Sequence, residues 1–277
     1  MAREVPDVPD DALFRAFQSQ CEDNEGWTIS YNKSGIGVWM RPPDIGGRGP
    51  SVHTVKGRMT FPDVAAETVY DVLHDIEYRR KWDLTMIETR DIARLSLNAD
   101  VGYYSWKCPK PLKNRDVVTL RAWLVLPDAY LITNFSVKHN MYPPRKDMVR
   151  AVSYMAGYLV KSNGPTSSTL TYLAQVDPRG SLPKWVVNKS SQYLAPKILR
   201  KLHKACLQYP SWKKKNKPEF KPWLNPEQNT LPRISLNELS MQRAESLEHV
   251  DESQLCEVAE DKGDNSEEEE EKKTSRR

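Results

Sequence analysis

The chain has 277 residues, 39% apolar content and a formal net charge of +4, enough length for one large domain or two small ones. The charge is divided unevenly: residues 225–277 hold seven basic and fifteen acidic residues, a net charge of −8, whereas residues 1–224 hold 34 basic and 22 acidic residues, a net charge of +12. No uncharged stretch approaches the ~20 residues of a transmembrane helix, and the basic part favours phosphate-bearing partners, either nucleic acid or an anionic membrane.

The ends of the chain and its cysteines bear on location. The N-terminal stretch has no apolar segment of the kind found in signal peptides, and Ala2 stands where N-myristoylation requires glycine. The four cysteines are far apart and form no Cys-x-x-Cys pair, so we interpret them as reduced thiols. We expect a cytoplasmic monomer that associates with membranes only peripherally.

The predicted elements begin with a short amphipathic helix capped by Asp10 or Asp11. Its apolar face comprises Leu13, Phe14, Phe17 and Cys21. Residues 27–40 then form two strand-like segments around the turn residues 32–35, a pattern typical of a hairpin, and residues 51–61 predict a third strand.

The rest of the sequence predicts a helical stretch, a long series of strands and a second amphipathic helix. Pro62 opens a helical stretch that continues, with or without a break, to Trp82, and residues 86–176 predict about six strands. A long amphipathic helix follows, which Pro196 is expected to kink near its start. Its apolar stripe, at steps of 4, 4, 4 and 3, is Leu194, Ile198, Leu202, Cys206 and Tyr209.

This order of elements predicts an α+β fold with a largely antiparallel sheet covered by the long helix. We expect residues 1–9 to be flexible and residues 10–224 to form one domain. Residues 225–277 are expected to be a disordered acidic tail, because the composition of their end cannot build a core.

Motifs for catalysis are missing from the sequence. The five histidines are scattered without a His-Glu-x-x-His pattern, and there is neither a Gly-x-Ser-x-Gly elbow nor a phosphate-binding P-loop. We therefore expect a protein that is not an enzyme and that needs no metal or cofactor.

One ion pair stands out on helical spacing. Arg79 follows Ile76 by three residues and so lies near the apolar face, and Asp83 at i+4 is close enough to pair with it. This spacing fits a surface ion pair just beyond the core. It also fits an arginine held beneath the sheet by its carboxylate, ready to bind a phosphate through two hydrogen bonds.

Several segments together resemble the START domain, the lipid-transfer fold related to the steroidogenic acute regulatory protein. They are "DIEYRRKWD" (75–83), "PKPLKNRD" (109–116), "GSLPKWVVN" (180–188) and the amphipathic helix. Their order and spacing are similar to the phosphatidylcholine-transfer branch over about residues 10–212. The resemblance implies a helix-grip fold, in which a curved antiparallel sheet wraps the C-terminal helix and encloses a tunnel for one lipid.

The resemblance also implies roles for individual residues. Arg79 would bind the lipid phosphate and Asp83 would hold Arg79 in place. The positions of an aromatic cage around choline are matched by Tyr104, Val117 and Tyr154. Acyl chains would contact the apolar stripe of the helix, including Leu194, Ile198 and Leu202.

The chain departs from that branch at the cage. Val117 has no ring, Tyr104 stands where the branch has tryptophan, and Ala156 replaces a glutamine able to hydrogen-bond the lipid. A cage with fewer cation–π contacts discriminates less against a smaller head group. We expect a carrier that binds both phosphatidylcholine and phosphatidylethanolamine.

Other functions stay open on the sequence alone. The same pocket could serve a lipid sensor or adaptor rather than a carrier. The basic residues are also compatible with nucleic-acid binding, although no RRM, KH or helix-turn-helix signature accompanies them. An enzyme such as a cyclase or hydrolase could use a similar cavity.

A basic stripe on the long helix and the acidic tail suggest regulated membrane contact. Lys197, Lys201 and Lys204, with Arg200 beside them, form either a solvated face or a surface for anionic membranes. The tail could compete for that surface. Ser266 precedes glutamates at +1, +2 and +3, the pattern of a site for a casein kinase II type kinase.

Overall fold

The computed structural model describes residues 4–43, 50–180, 182 and 194–255. These residues include four α-helices: α1 (Asp11–Glu22), α2 (Ala66–His74), α3 (Ile76–Trp82) and α4 (Ala195–Lys213). They also include eleven strands: β1 (Thr28–Lys33), β2 (Ile36–Arg41), β3 (Thr54–Phe61), β4 (Met86–Arg94), β5 (Ala99–Trp106), β6 (Arg115–Val125), β7 (Ala129–His139), β8 (Val149–Arg150), β9 (Val152–Ser162), β10 (Ser168–Asp177) and β11 (Leu239–Met241). Of the described helices, none has the length and apolar character needed to span a bilayer.

The strands form one curved sheet in the order β1-β2-β3-β10-β9-β7-β6-β5-β4. Every pair along this path is antiparallel, β8 pairs in parallel with the start of β6, and β11 pairs antiparallel with the end of β7. The predicted α+β fold with a largely antiparallel sheet is confirmed. Seven described strands, rather than about six, separate α3 from α4, because the two-residue β8 is too short for a sequence pattern.

Local sequence signals predicted two of the elements correctly. Asp10 caps α1 by accepting a hydrogen bond from the backbone N–H of Leu13 at 2.9 Å. Ser34 and Gly35 have φ angles of 53° and 73°, the left-handed conformation that a tight two-residue hairpin requires at both central positions. The hairpin of β1 and β2 therefore forms where its turn residues predict it.

The helical stretch before β4 is broken at Asp75. Its carboxylate caps α3 by accepting from the N–H of Tyr78 at 3.1 Å, so the chain restarts a helix there instead of continuing α2. The same carboxylate accepts hydrogen bonds from the Tyr209 hydroxyl at 3.0 Å and from Lys213 Nζ at 2.9 Å. Asp75 thus ties the start of α3 to the C-terminal half of α4.

The buried face of α4 differs from the predicted stripe. Leu199, Leu202, Cys206 and Tyr209 are buried at steps of 3, 4 and 3, whereas Ile198 is 42% exposed and Leu194 is half-buried. Successive four-residue steps overshoot the helical turn by roughly 40° each, so the stripe drifts off the buried face towards its N-terminal end. The prediction that Ile198 belongs to the buried face is wrong.

The start of α4 also bears on the kink that was expected at Pro196. Pro196 lies in the first helical turn, where its missing N–H would have no partner within the helix anyway, so it gives no reason for a kink. The part of the predicted helix before residue 194 lies outside the described residues.

Both faces of the sheet are covered. Strand β6 shows the division: Trp123 packs with α2 and α4 on one face, while Val118 and Leu120 pack with α1 on the other. The second face also receives apolar side chains from residues 234–239. We call the face that carries α2, α3 and α4 the inner face.

The segment after α4 is part of the folded body. Leu239 in β11 is fully buried, and Glu252 pairs with Arg115, whose side chain is only 1% exposed. The prediction of disorder is therefore wrong for residues 225–255. It was based on the charged composition at the end of the chain, whereas a few apolar side chains of this segment are buried against the sheet. Residues 256–277 lie outside the described part of the chain.

Replacing Glu252 tests whether this segment stabilises the fold. Glu252→Gln leaves the buried Arg115 cation without its counter-ion, so we expect the free energy of unfolding to fall by about 3 kcal/mol in urea titrations. The exposed Glu248→Gln is the matched control and should leave the unfolding midpoint unchanged. Equal stability of the two variants would show that the segment is an appendage.

Candidate functional site

Arg79 lies on the inner face at the end of α3. Its guanidinium makes an ion pair with Asp83 at 3.5 Å and donates a hydrogen bond to the carbonyl oxygen of Leu73 at 3.0 Å. The side chain retains 17% exposure. Burial opposes its charge, but the phenols of Tyr158 and Tyr104 and the carboxylate of Asp83 outweigh burial and raise the pKa of Arg79.

Asp83 is held mainly by groups other than Arg79. Its Oδ2 accepts a hydrogen bond from the Tyr104 hydroxyl at 2.8 Å, and its Oδ1 accepts from the Thr85 hydroxyl at 2.7 Å and from the Thr85 N–H at 3.3 Å. These hydrogen bonds from two hydroxyl groups orient the carboxylate of Asp83. Asp83 therefore compensates the charge of Arg79 without accepting a hydrogen bond from its guanidinium.

The guanidinium consequently has spare donors. A guanidinium carries five N–H groups. Among the described residues, Arg79 donates to the Leu73 carbonyl, and the Tyr158 hydroxyl and the Asp83 carboxylate also lie near it. These neighbours do not use all five donors, so a guanidinium that is 17% exposed and has one distant counter-ion can receive a second anion. Phosphate suits it, since two of its oxygens match the fork of the guanidinium.

Aromatic rings surround this group. The guanidinium carbon lies 5.4 Å from the ring centroid of Trp82 and 6.0 Å from that of Tyr104. Tyr104 also stacks on Trp106 at 6.0 Å between centroids. Burial, followed by the charge of Asp83, raises the pKa of Tyr104, so its hydroxyl remains a hydrogen-bond donor.

The three predicted cage positions do not all lie beside Arg79 and Asp83. Val117 is buried on β6 directly opposite Tyr104 on β5, so these two belong together. Burial raises the pKa of Tyr154 on β9, and the charges acting on it are those of Asp177, Glu245 and Arg179.

Tyr158 is the residue that sequence reasoning missed. It lies four residues after Tyr154 on β9, and burial raises its pKa while the guanidinium of Arg79 opposes that shift. Its ring also packs against Tyr172 of β10 at 5.2 Å. The period of two residues along β9 was the available signal, because it places residues 154, 156 and 158 on one side.

A second charged group on the inner face was also missed. Arg121 donates from Nε to Asp100 at 3.0 Å and contacts Asp91 at 3.2 Å. The charges of both arginines act on His74. Burial, followed by the charges of Arg121 and Arg79, lowers the pKa of His74 well below its ordinary value, so the imidazole is neutral. Arg121 already has two carboxylates, whereas Arg79 has one.

The remaining predicted residues lie along α4. Leu202 is buried in the inner-face core, Leu194 is half-buried and Ile198 is exposed. The basic residues Lys197, Arg200 and Lys204 are exposed and Lys201 is half-buried. Arg200 donates a hydrogen bond to the hydroxyl of Tyr31 at 2.6 Å.

Comparison with known proteins identifies the family of this chain. The sequence profile of the START domain matches residues 10–213. The chain belongs to the START domain family. It is 60% identical to START domain-containing protein 10 of mouse and of human over 262 residues, which cover 95% of this chain and 89% of each relative. It is 28% identical to the mouse phosphatidylcholine transfer protein over 143 residues, half of this chain and 66% of that protein.

Solved structures agree. The crystal structure of human STARD10 superposes with a TM-score of 0.82 at 61% identity, covering 88% of this chain and 99% of that one. Human StAR-related lipid transfer protein 5 gives a TM-score of 0.61 at 23% identity over 72% of this chain and 95% of that chain, a likeness of fold alone. The predicted START helix-grip fold is confirmed.

A double-mutant cycle on Arg79 and Asp83 tests whether the pair is buried and coupled. We expect Arg79→Ala and Asp83→Ala to show a coupling energy of about 2 kcal/mol in urea unfolding, because each single change leaves an uncompensated charge on the inner face. The exposed Arg145–Asp147 pair is the control and should show no measurable coupling. Similar coupling in both pairs would place Arg79 at the surface.

Proposed function

We propose that this protein binds one phospholipid between the inner face of the sheet and α2, α3 and α4, and carries it between membranes. The observation that supports the proposal best is Arg79, a half-buried cation whose donors are largely unused because Asp83 is satisfied by Thr85 and Tyr104. Membership of the START family and the likeness to a phosphatidylcholine transfer protein point the same way.

Transfer energetics explain the need for such a carrier. Two chains of ~16 carbons, at ~0.8 kcal/mol per methylene, make a phospholipid roughly 25 kcal/mol less stable in water than in a bilayer. An apolar interior replaces the bilayer as surroundings, so the lipid crosses water without exposing its chains. No bond is made or broken in this process, and the protein acts as a carrier rather than an enzyme.

Two alternative functions would use the same arginine or the basic surface. A lipid sensor would bind the same ligand at Arg79 and differ only in what happens after binding. A nucleic-acid binder would depend on the basic surface alone, and it would leave a half-buried arginine with unused donors on the inner face unexplained.

Contact with anionic membranes is the second part of the proposal. Ile198 is exposed on one side of the exposed Lys197 on α4, and the exposed Arg200 lies on the other side of that lysine. An apolar side chain next to cations is of the kind that inserts beside lipid head groups. Each cation near an anionic surface contributes about 1 kcal/mol to binding. Lys204 lies one turn further along the helix and extends this surface.

Arg79→Ala tests the phosphate assignment. We expect it to lose most phospholipid extraction from vesicles while circular dichroism shows a retained fold, because the phosphate loses its partner and Asp83 remains as an unpaired charge. Arg80→Ala is the matched control, since Arg80 is exposed and pairs with Glu77 on the outside of α3. Normal loading of Arg79→Ala would remove Arg79 from the site.

Head-group selectivity tests the open cage. We expect wild-type protein to transfer both phosphatidylcholine and phosphatidylethanolamine, because Val117 offers no ring opposite Tyr104. Val117→Tyr should shift the ratio of the two transfer rates towards choline lipids by roughly tenfold, the worth of one desolvated cation–π contact. Competition between labelled lipids measures this ratio. A wild-type protein that ignores ethanolamine lipids would contradict the argument.

Phosphorylation of Ser266 remains a prediction, since this residue lies outside the described part of the chain. A phosphate adds about −1.5 to −2 charges to an already acidic stretch. We expect protein phosphorylated by a casein kinase II type kinase to bind anionic vesicles more weakly, with unchanged lipid content. Co-sedimentation at low salt measures the difference, and equal binding of both forms would refute the prediction.

A further inference from the structure

The loop between β5 and β6, residues 107–114, is a basic surface. Lys107, Lys110 and Lys113 are exposed, and none of them has an ion-pair partner within the described residues. The backbone of the loop is held at both ends: the N–H of Lys107 donates to the carbonyl of Thr85 at 2.8 Å, and the N–H of Cys108 donates to Asn114 Oδ1 at 3.1 Å. Its three lysines are therefore presented on a fixed backbone.

The end of the C-terminal segment is fastened to the same loop. Glu252 accepts a hydrogen bond from the N–H of Lys113 at 2.9 Å and pairs with Arg115. Arg115 also donates to the carbonyl oxygens of Pro178 and Arg179, at 3.1 and 3.2 Å. One buried arginine thus joins the basic loop, the end of β10 and the C-terminal segment.

A second contact fixes the path of the chain just before Glu252. A Cβ added at Gly180 would lie 2.5 Å from the carbonyl oxygen of Val250, so only glycine allows the two backbones to approach this closely. The Arg179 guanidinium donates to the carbonyl of Leu247 at 3.3 Å. The described chain then ends at Leu255, three residues after its anchor on the basic loop.

We propose that residues 256–271 of this chain dock on the lysines of the 107–114 loop. These residues contain nine acidic side chains and one lysine, a net charge of −8 opposite three lysines that have no ion-pair partner in the described part of the chain. The proposal goes beyond lipid binding and assigns the acidic tail to this loop rather than to α4.

The anchor at Glu252 favours this site over other basic surfaces. The acidic residues begin five positions after the anchor and end nineteen after it, an r.m.s. reach of roughly 12–24 Å for a flexible chain. Tethering at this distance gives an effective local concentration on the order of millimolar for the nearest cations. The acidic tail screens the loop lysines from other anions, and salt weakens that screening.

Zero-length carbodiimide cross-linking of the full chain, without lipid, tests the proposal directly. Mass spectrometry should find acidic residues of 256–271 joined to Lys107, Lys110 or Lys113 at low salt, and the cross-links should fade at high salt. Cross-links confined to Lys197, Lys201 and Lys204 on α4, or no tail cross-links at low salt, would overturn it. Because this readout needs no lipid, its failure leaves the proposed carrier function untouched.

Vesicle binding gives the second measurement, with truncation after Leu255 so that the anchored segment is retained. Removing residues 256–277 should raise affinity for vesicles containing phosphatidylserine by about tenfold at low salt. The gain should vanish in Lys107→Gln/Lys110→Gln/Lys113→Gln and persist in Lys197→Gln/Lys201→Gln/Lys204→Gln. A gain of the same size in the loop variant would contradict the assignment.

Discussion

The function proposed for this protein depends on how the charge of one arginine is balanced inside the fold. Asp83 stands close enough to Arg79 to offset the cost of a buried cation, yet its oxygens are held by Tyr104 and Thr85. A closer, bidentate partner would have satisfied the guanidinium and left nothing for a ligand. A missing partner would have made the buried charge too costly. The 3.5 Å ion pair lies between these limits, and it leaves guanidinium donors unused, as the proposed phosphate contact requires.

The rest of the fold holds that arginine against the sheet. Asp75 ends α2, starts α3 and binds Lys213, so the helix that carries Arg79 is fixed to α4. Tyr104 reaches Asp83 from β5, which ties α3 to the sheet as well. The polar site therefore depends on long-range contacts between elements far apart in sequence, while the apolar side chains of α2, α4 and the inner face pack into one core cluster.

Sequence reasoning succeeded where the signal is local and failed where tertiary contacts decide. The α1 cap, the turn at Ser34 and Gly35 and the i+4 spacing of Arg79 and Asp83 are all short-range, and the structure shows each of them. Burial of Ile198 failed because small angular errors accumulate along a helix. Disorder of residues 225–255 failed because the pairing of β11 with β7 joins segments a hundred residues apart. The two-residue period along β9 groups Tyr158 with residues 154 and 156, but only the tertiary packing of α3 on the sheet brings Tyr158 beside Arg79.

A crystal structure of the protein loaded with a single phospholipid would show whether Arg79 binds the phosphate. We expect phosphate oxygens about 3 Å from the guanidinium nitrogens of Arg79, with the acyl chains against the inner face. The Asp83 bonds to Tyr104 and Thr85 should persist. A phosphate bound at Arg121 or at the protein surface, with Arg79 still free of any ligand, would contradict this assignment.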